Sequence, residues 1–165
     1  MIGIDARDEG LALSKEYGAD IVIDIRKDLD AAVKEVHAVT NGHGVDSTIG
    51  LSDHPTAAAT ACAITRFHGV LVQIAQPDQV SVPFHELIFR DIKIHGSLIS
   101  SAAQSEEMVK CVSDNGISFK SQVFHRWESF ESLLDQVHEG KVKGKALIVV
   151  DPAQIEEEKN LGAKH

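Results

Sequence analysis

Asp5 is the first residue whose type and place could do chemistry: it is an acid that closes the apolar run MIGI. In a dinucleotide fold, an acid at the end of the second sheet strand accepts hydrogen bonds from the adenosine ribose hydroxyls, and its charge repels a 2′-phosphate. The same spacing fits an aspartate that only caps the following turn, and both readings stay open here. Arg7, two residues on, could stack on adenine or balance the charge of Asp5, or lie solvated at the surface. The nine histidines contain no HxxxH or HExxH spacing, and the nearest pair, His37 and His43, straddles an expected helix end. No metal site is expected within the chain. Cys62 and Cys111 lie outside any CxxC pattern and are expected as buried free thiols. Neither GxGxxG nor GxxxxGK[ST] occurs, so the chain shows no backbone cradle for a pyrophosphate. A GxSxG elbow is also missing, which leaves hydrolase chemistry without support.

The elements that must position these residues follow from periodicity. Residues 1–5 read as a strand, 11–17 as a short helix closed by Gly18, and 21–24 as a second strand. Leu29, Ala32, Val33, Val36 and Thr40 form one helical stripe that Asn41 and Gly42 should end, and residues 44–51 read as the third strand. Pro55 fits the first turn of an Ala-rich helix reaching Thr65, with Asp53 or His54 as its cap. Residues 69–74, GVLVQI, are continuously apolar, as a strand covered on both faces should be. Val80, Ser81 and Val82 read as an edge strand stopped by Pro83, followed by a helical turn at 84–89 and a strand at 92–99. Ser105 should cap a helix through Asn115. Phe130, Leu133, Leu134 and Val137 mark another that Gly140 ends, and 146–150 is the last strand. Residues from 152 onward read as a frayed polar tail.

Strands alternating with helices in this way predict an α/β, doubly wound and mostly parallel sheet. Such sheets bind ligands beyond the carboxyl ends of their strands, so functional weight falls on the strand ends. Lys and Arg number 16 against 25 Asp and Glu, a net charge of −9, which argues against nucleic acid as a partner. No apolar run approaches the roughly 20 residues that a membrane-spanning helix needs, and no leader-like segment is visible, which gives a cytoplasmic expectation.

In order, MIGID, LALSKEYGADIVID, NGHGVD, GVLVQIAQP, IKIHGSLI and GKVKGKALIVVD resemble the coenzyme-binding, carboxyl-terminal part of the zinc-dependent alcohol dehydrogenases. These belong to the medium-chain dehydrogenase/reductase superfamily, and the resemblance spans residues 1–151. It implies a Rossmann-type domain over 1–151, incomplete and joined by a returning helix and strand, with 152–165 as the tail. It also implies an NAD-dependent oxidoreductase that, when complete, moves a hydride between an alcohol or aldehyde and the nicotinamide. Zinc belongs to the complete enzyme and would not be bound by this chain. Asp5 matches the acid that holds the ribose and favours NAD, and Leu51 a position lining the coenzyme cleft. Val72 matches the residue packed on the nicotinamide, while Ile74 and Leu98 match positions facing the substrate, Ile74 also lining the coenzyme. Ser97 and Ile99 match positions whose backbone groups hold the carboxamide, and Lys145 a basic residue toward the coenzyme phosphates. Plain core packing is the other reading of Val72 and Ile74. The resemblance assigns no catalytic residue here, and it implies a homo-oligomer joined at the edge strand around Val80 and Val82.

Gln73 stands where the family usually has glycine, Ala75 where it has proline, and Gly10 where a lysine often reaches the adenosine. The family's zinc ligands, proton relay and glycine loop lie ahead of the stretch that matches. In the strand order 3-2-1-4-5-6, the strand carrying that loop sits between those matching MIGID and GVDSTIGL, so a gap is expected at the sheet centre. The expectation is therefore a part of a longer enzyme or a marginally stable remnant. A free-standing non-catalytic binding module is the alternative function. A zinc-free, quinone reductase-like fragment is a third, against which Asp5 counts because such enzymes usually prefer NADP.

Overall fold

The computed structural model describes residues 1–26 and 28–162. It opens with β1 (Ile2–Asp5), α1 (Asp8–Glu16), β2 (Ile21–Asp24) and α2 (Leu29–Val39). β1 and β2 pair in parallel, from Ile2↔Ile21 to Asp5↔Asp24. Asp28 caps α2 by accepting from the Asp30 N–H at 2.9 Å, and the helix buries Ala32 and Val36 against Ile23. This is the stripe that the three- and four-residue spacing predicts.

The chain continues through β3 (Val45–Gly50), α3 (Ala57–Ile64), β4 (Thr65–Gln73), α4 (Phe84–Ile88) and β5 (Lys93–Gly96). These strands form a separate parallel ladder in the order β3-β4-β5. Ala58, Ala61, Cys62, Leu71 and Ile92 make its core, with Val82 and Ile94 against them. A third unit holds α5 (Ala102–Asp114), β6 (Ser121–His125), α6 (Phe130–His138), β7 (Lys145–Val149) and α7 (Pro152–Asn160), with β6 parallel to β7. Gly144 sets that pairing. It adopts φ +83°, and a Cβ on it would lie 2.0 Å from the Lys120 carbonyl oxygen, which accepts from the Lys145 N–H at 2.8 Å.

The α/β class and the parallel pairing agree with the sequence. The central gap is present too: no ladder joins β1 to β3 among the described residues. What links the two sides is side-chain packing, because Ile2 and Ile4 of β1 and Val45 of β3 meet a common cluster that includes Val36 and Ile64.

Several elements differ from the sequence reading. Val80, Ser81 and Val82 form no strand. Val82 turns into the core while Val80 is exposed, and Pro83, which has no N–H to give a ladder, leads directly into α4. α3 begins at Ala57, since His54 and Pro55 are taken up in a preceding turn in which the Ala57 N–H meets the His54 carbonyl at 2.9 Å. β4 starts at Thr65 rather than residue 69 and bulges before Val70, with His68 at φ 61°. β5 stops at Gly96. The cap of α5 is Ser101, not Ser105: its hydroxyl accepts from the Gln104 N–H, and the Gln104 side chain answers the Ser101 N–H. β6 was not anticipated. Residues 152–160 are helical, not frayed, because Asp151 accepts from the Ala153 N–H at 2.9 Å and Pro152 occupies the first turn. Cys111 is exposed, since α5 buries none of its residues, whereas Cys62 is buried as expected.

Candidate functional site

Asp5 is the last residue of β1, and its side chain is a quarter exposed. Its Oδ1 accepts from the Arg7 N–H at 2.9 Å and from Arg7 Nε at 3.3 Å, and its Oδ2 accepts from Nη2 at 3.3 Å. The turn-capping reading of Asp5 is therefore realised, and the carboxylate stays at the strand end with solvent access. Arg7 folds back onto it. A Cβ at Gly10 would lie 2.0 Å from Oδ2. Glycine there leaves the room that the carboxylate occupies.

Asp24 ends β2 in the same way, and Arg26 holds it through Nε at 2.9 Å and Nη2 at 2.8 Å. Sequence reasoning passed over this second pair. Its signal was the repeat of IDAR at 4–7 as IDIR at 23–26.

At the end of the other ladder, the Ile74 and Ala75 N–H groups both donate to the Gly50 carbonyl at 3.0 Å, and the Ser97 N–H donates to the Gln73 carbonyl at 3.0 Å. These bonds draw Leu51, Ile74 and Ser97 to neighbouring strand ends. Leu51 is 73% exposed, and Val72 lies half-buried between Ile49 and His95. Ser97, Leu98 and Ile99 line a cavity of about 500 Å³ together with Ser100 and Gln104. Ile99 is 87% exposed. Gln73, the departure from glycine, turns its carboxamide over Gly50, where a Cβ would lie 2.8 Å from Oε1. That oxygen is buried with no hydrogen-bond partner, while Nε2 donates to the Ala75 carbonyl at 2.8 Å. Lys145 lies elsewhere, at the amino end of β7 in the third unit.

Among the described residues no group of three or more His, Cys, Asp or Glu is placed to hold a metal ion. Burial, then the charge of Glu86, pushes the Cys62 thiol up to about 11, which makes it a packing residue rather than a nucleophile.

A family model described as zinc-binding dehydrogenase matches residues 1–114. This chain belongs to that family. It is 25% identical over 154 residues to an alcohol dehydrogenase of Geobacillus stearothermophilus, covering 92% of this chain and 44% of that protein. The crystal structure of an alcohol dehydrogenase from Aeropyrum pernix shares its fold with TM-score 0.78 at 23% identity, over 88% of this chain and 41% of that one. A mycobacterial quinone oxidoreductase shares it with TM-score 0.68 at 18% identity, over 88% of this chain and 47% of the other. The chain thus spans less than half the length of these relatives. The resemblance to the coenzyme-binding part of the medium-chain alcohol dehydrogenases is borne out.

Proposed function

We propose that this chain is the coenzyme-binding portion of an NAD-dependent alcohol dehydrogenase. In the complete enzyme it would position NAD against an alcohol or aldehyde. The observation that carries this reading is the half-buried Asp5 carboxylate at the end of β1. NAD supplies the hydride acceptor when bound. The residues present fit its two ends: an acid for a ribose at β1, and an open pocket lined by Ser97, Leu98 and Ile99 after β5. Asp5 accepts from the ribose hydroxyls and repels a 2′-phosphate, and Arg7 sets its orientation. Leu51, Val72 and Ile74 form an apolar wall that excludes water from the nicotinamide side. Backbone groups of Ser97 and Ile99 hold the carboxamide, and Ile74 and Leu98 face the substrate, while Lys145, at the amino end of β7, lies apart from them and takes no part in this reading. Among the described residues no group of three or more His, Cys, Asp or Glu is placed to hold zinc, so this reading gives none of them a metal. A homo-oligomer with its contact near Val80, and a cytoplasmic setting, belong to the same reading. The alternative of a non-catalytic binding module draws support from the divided sheet.

Asp5→Asn tests the reading, with NAD and NADP dissociation constants measured on the full chain. Losing a charged hydrogen-bond acceptor, worth about 1.5–3 kcal/mol, should weaken NAD by about tenfold or more and NADP little. Equal losses for both would remove Asp5 from the site.

A further inference from the structure

The two IDxR stretches are set side by side by the register Asp5↔Asp24, yet they hold their arginines differently. Arg7 reaches Asp5 through two side-chain contacts of 3.3 Å. Arg26 forks onto Asp24 at 2.9 and 2.8 Å, and its Nη2 also meets Asp8 Oδ1 at 2.6 Å, across the turn that follows Asp5. All three contacts use edge N–H groups, which lie in the guanidinium plane, so none occupies its faces. The side chain remains 44% exposed.

Strand order decides which way a base would lie. In the order 3-2-1-4-5-6 the phosphates sit on the side of the first strand, which here is the open edge of β1. A ribose held by Asp5 then directs its base the other way, toward β2. Neighbouring strands are about 4.8 Å apart, so Arg26 lies within the span of a purine.

We propose that Arg26 is the platform on which the adenine of the bound nucleotide stacks, with Asp24 and Asp8 as positioning residues that hold the guanidinium edge-on. This rests on the reading that Asp5 holds the adenosine ribose. A guanidinium is planar, delocalised and weakly hydrated, and it stacks on aromatic faces in a way an ammonium cannot. Two carboxylates already neutralise Arg26, which makes it a poor partner for a 2′-phosphate and leaves stacking as its use.

The test is calorimetric titration of the full chain with ADP-ribose for the wild type, Arg26→Ala, Arg26→Lys and Asp5→Asn. Lysine keeps a charge for Asp24 and Asp8, so that variant retains the fold while losing the planar face. The proposal expects both Arg26 variants to weaken ADP-ribose by about tenfold. Full binding by Arg26→Lys would overturn it, since charge alone would then suffice. Unchanged binding by Arg26→Ala, with Asp5→Asn weakened, would overturn the Arg26 role and leave the Asp5 reading standing. Failure of the wild type to bind, or an unaffected Asp5→Asn, would overturn both.

Discussion

Arg90 shows how one side chain can replace a turn. Its Nη1 donates to the Cys62 and Ala63 carbonyls at 3.1 and 3.4 Å, its Nη2 donates to the Thr65 carbonyl, and Glu86 pairs with it one helical turn earlier. The Cys62 and Ala63 carbonyls lie in the last turn of α3, where helical donors run out and the Thr65 N–H reaches only Cys62, while the Thr65 carbonyl opens β4. With Arg90 and the His37 ring, 3.0 Å from the Ala63 oxygen, in place, α3 passes into β4 with no loop between them. Arg90→Met should leave Glu86 buried and unpaired and cost about 3–5 kcal/mol in urea unfolding. A loss under about 1 kcal/mol, the level of a surface pair, would show that the pair is not buried in solution. The carbonyl contacts were not legible in sequence, because partners 25 and more residues apart carry no local pattern. The place of Asp5 at a strand end was legible because an acid interrupts an apolar run. Arg26 was not, because a repeated IDxR gains meaning only when the register sets its two copies side by side.

At the scale of elements, the sequence reading succeeded where burial imposes a period and failed where it does not. β2 and α2 were placed within a residue, since Ile23, Ala32 and Val36 face one core. β6, SQVFH, escaped because a single residue of it, Phe124, is buried and its neighbours give no alternation of apolar and polar. α7 escaped because it has no buried face, although Asp151 and Pro152 write its start. The β6–β7 pairing hangs on Gly144, which combines a left-handed backbone with close approach to Lys120. Gly144→Ala should therefore cost about 1 kcal/mol or more. Hydrogen exchange should show protection lost across 121–125 and 145–149 but kept in β3, β4 and β5. Uniform protection in the variant would mean that the strands tolerate the added methyl.

On the scale of the whole molecule, the alternation of strands and helices made the doubly wound class readable, and the strand order made the central gap readable. The amount of uncovered apolar surface was not readable. Phe84, Ile88, Phe89, Trp127 and Ile99 are each more than half exposed, and surface of this kind is characteristic of interfaces. It accompanies a chain that covers less than half of its relatives' length. The proposed coenzyme site spans the strand ends of β1, β3, β4 and β5 and would take NAD in preference to NADP. Titrating the nitrogen-labelled full chain with each coenzyme while following backbone amide resonances tests it directly. NAD should shift Asp5, Arg7, Leu51, Ile74, Ser97 and Ile99, with NADP shifting them less at equal concentration. Shifts confined to other surfaces, no shifts at all, or equal responses to the two coenzymes would contradict an NAD-selective site at these strand ends.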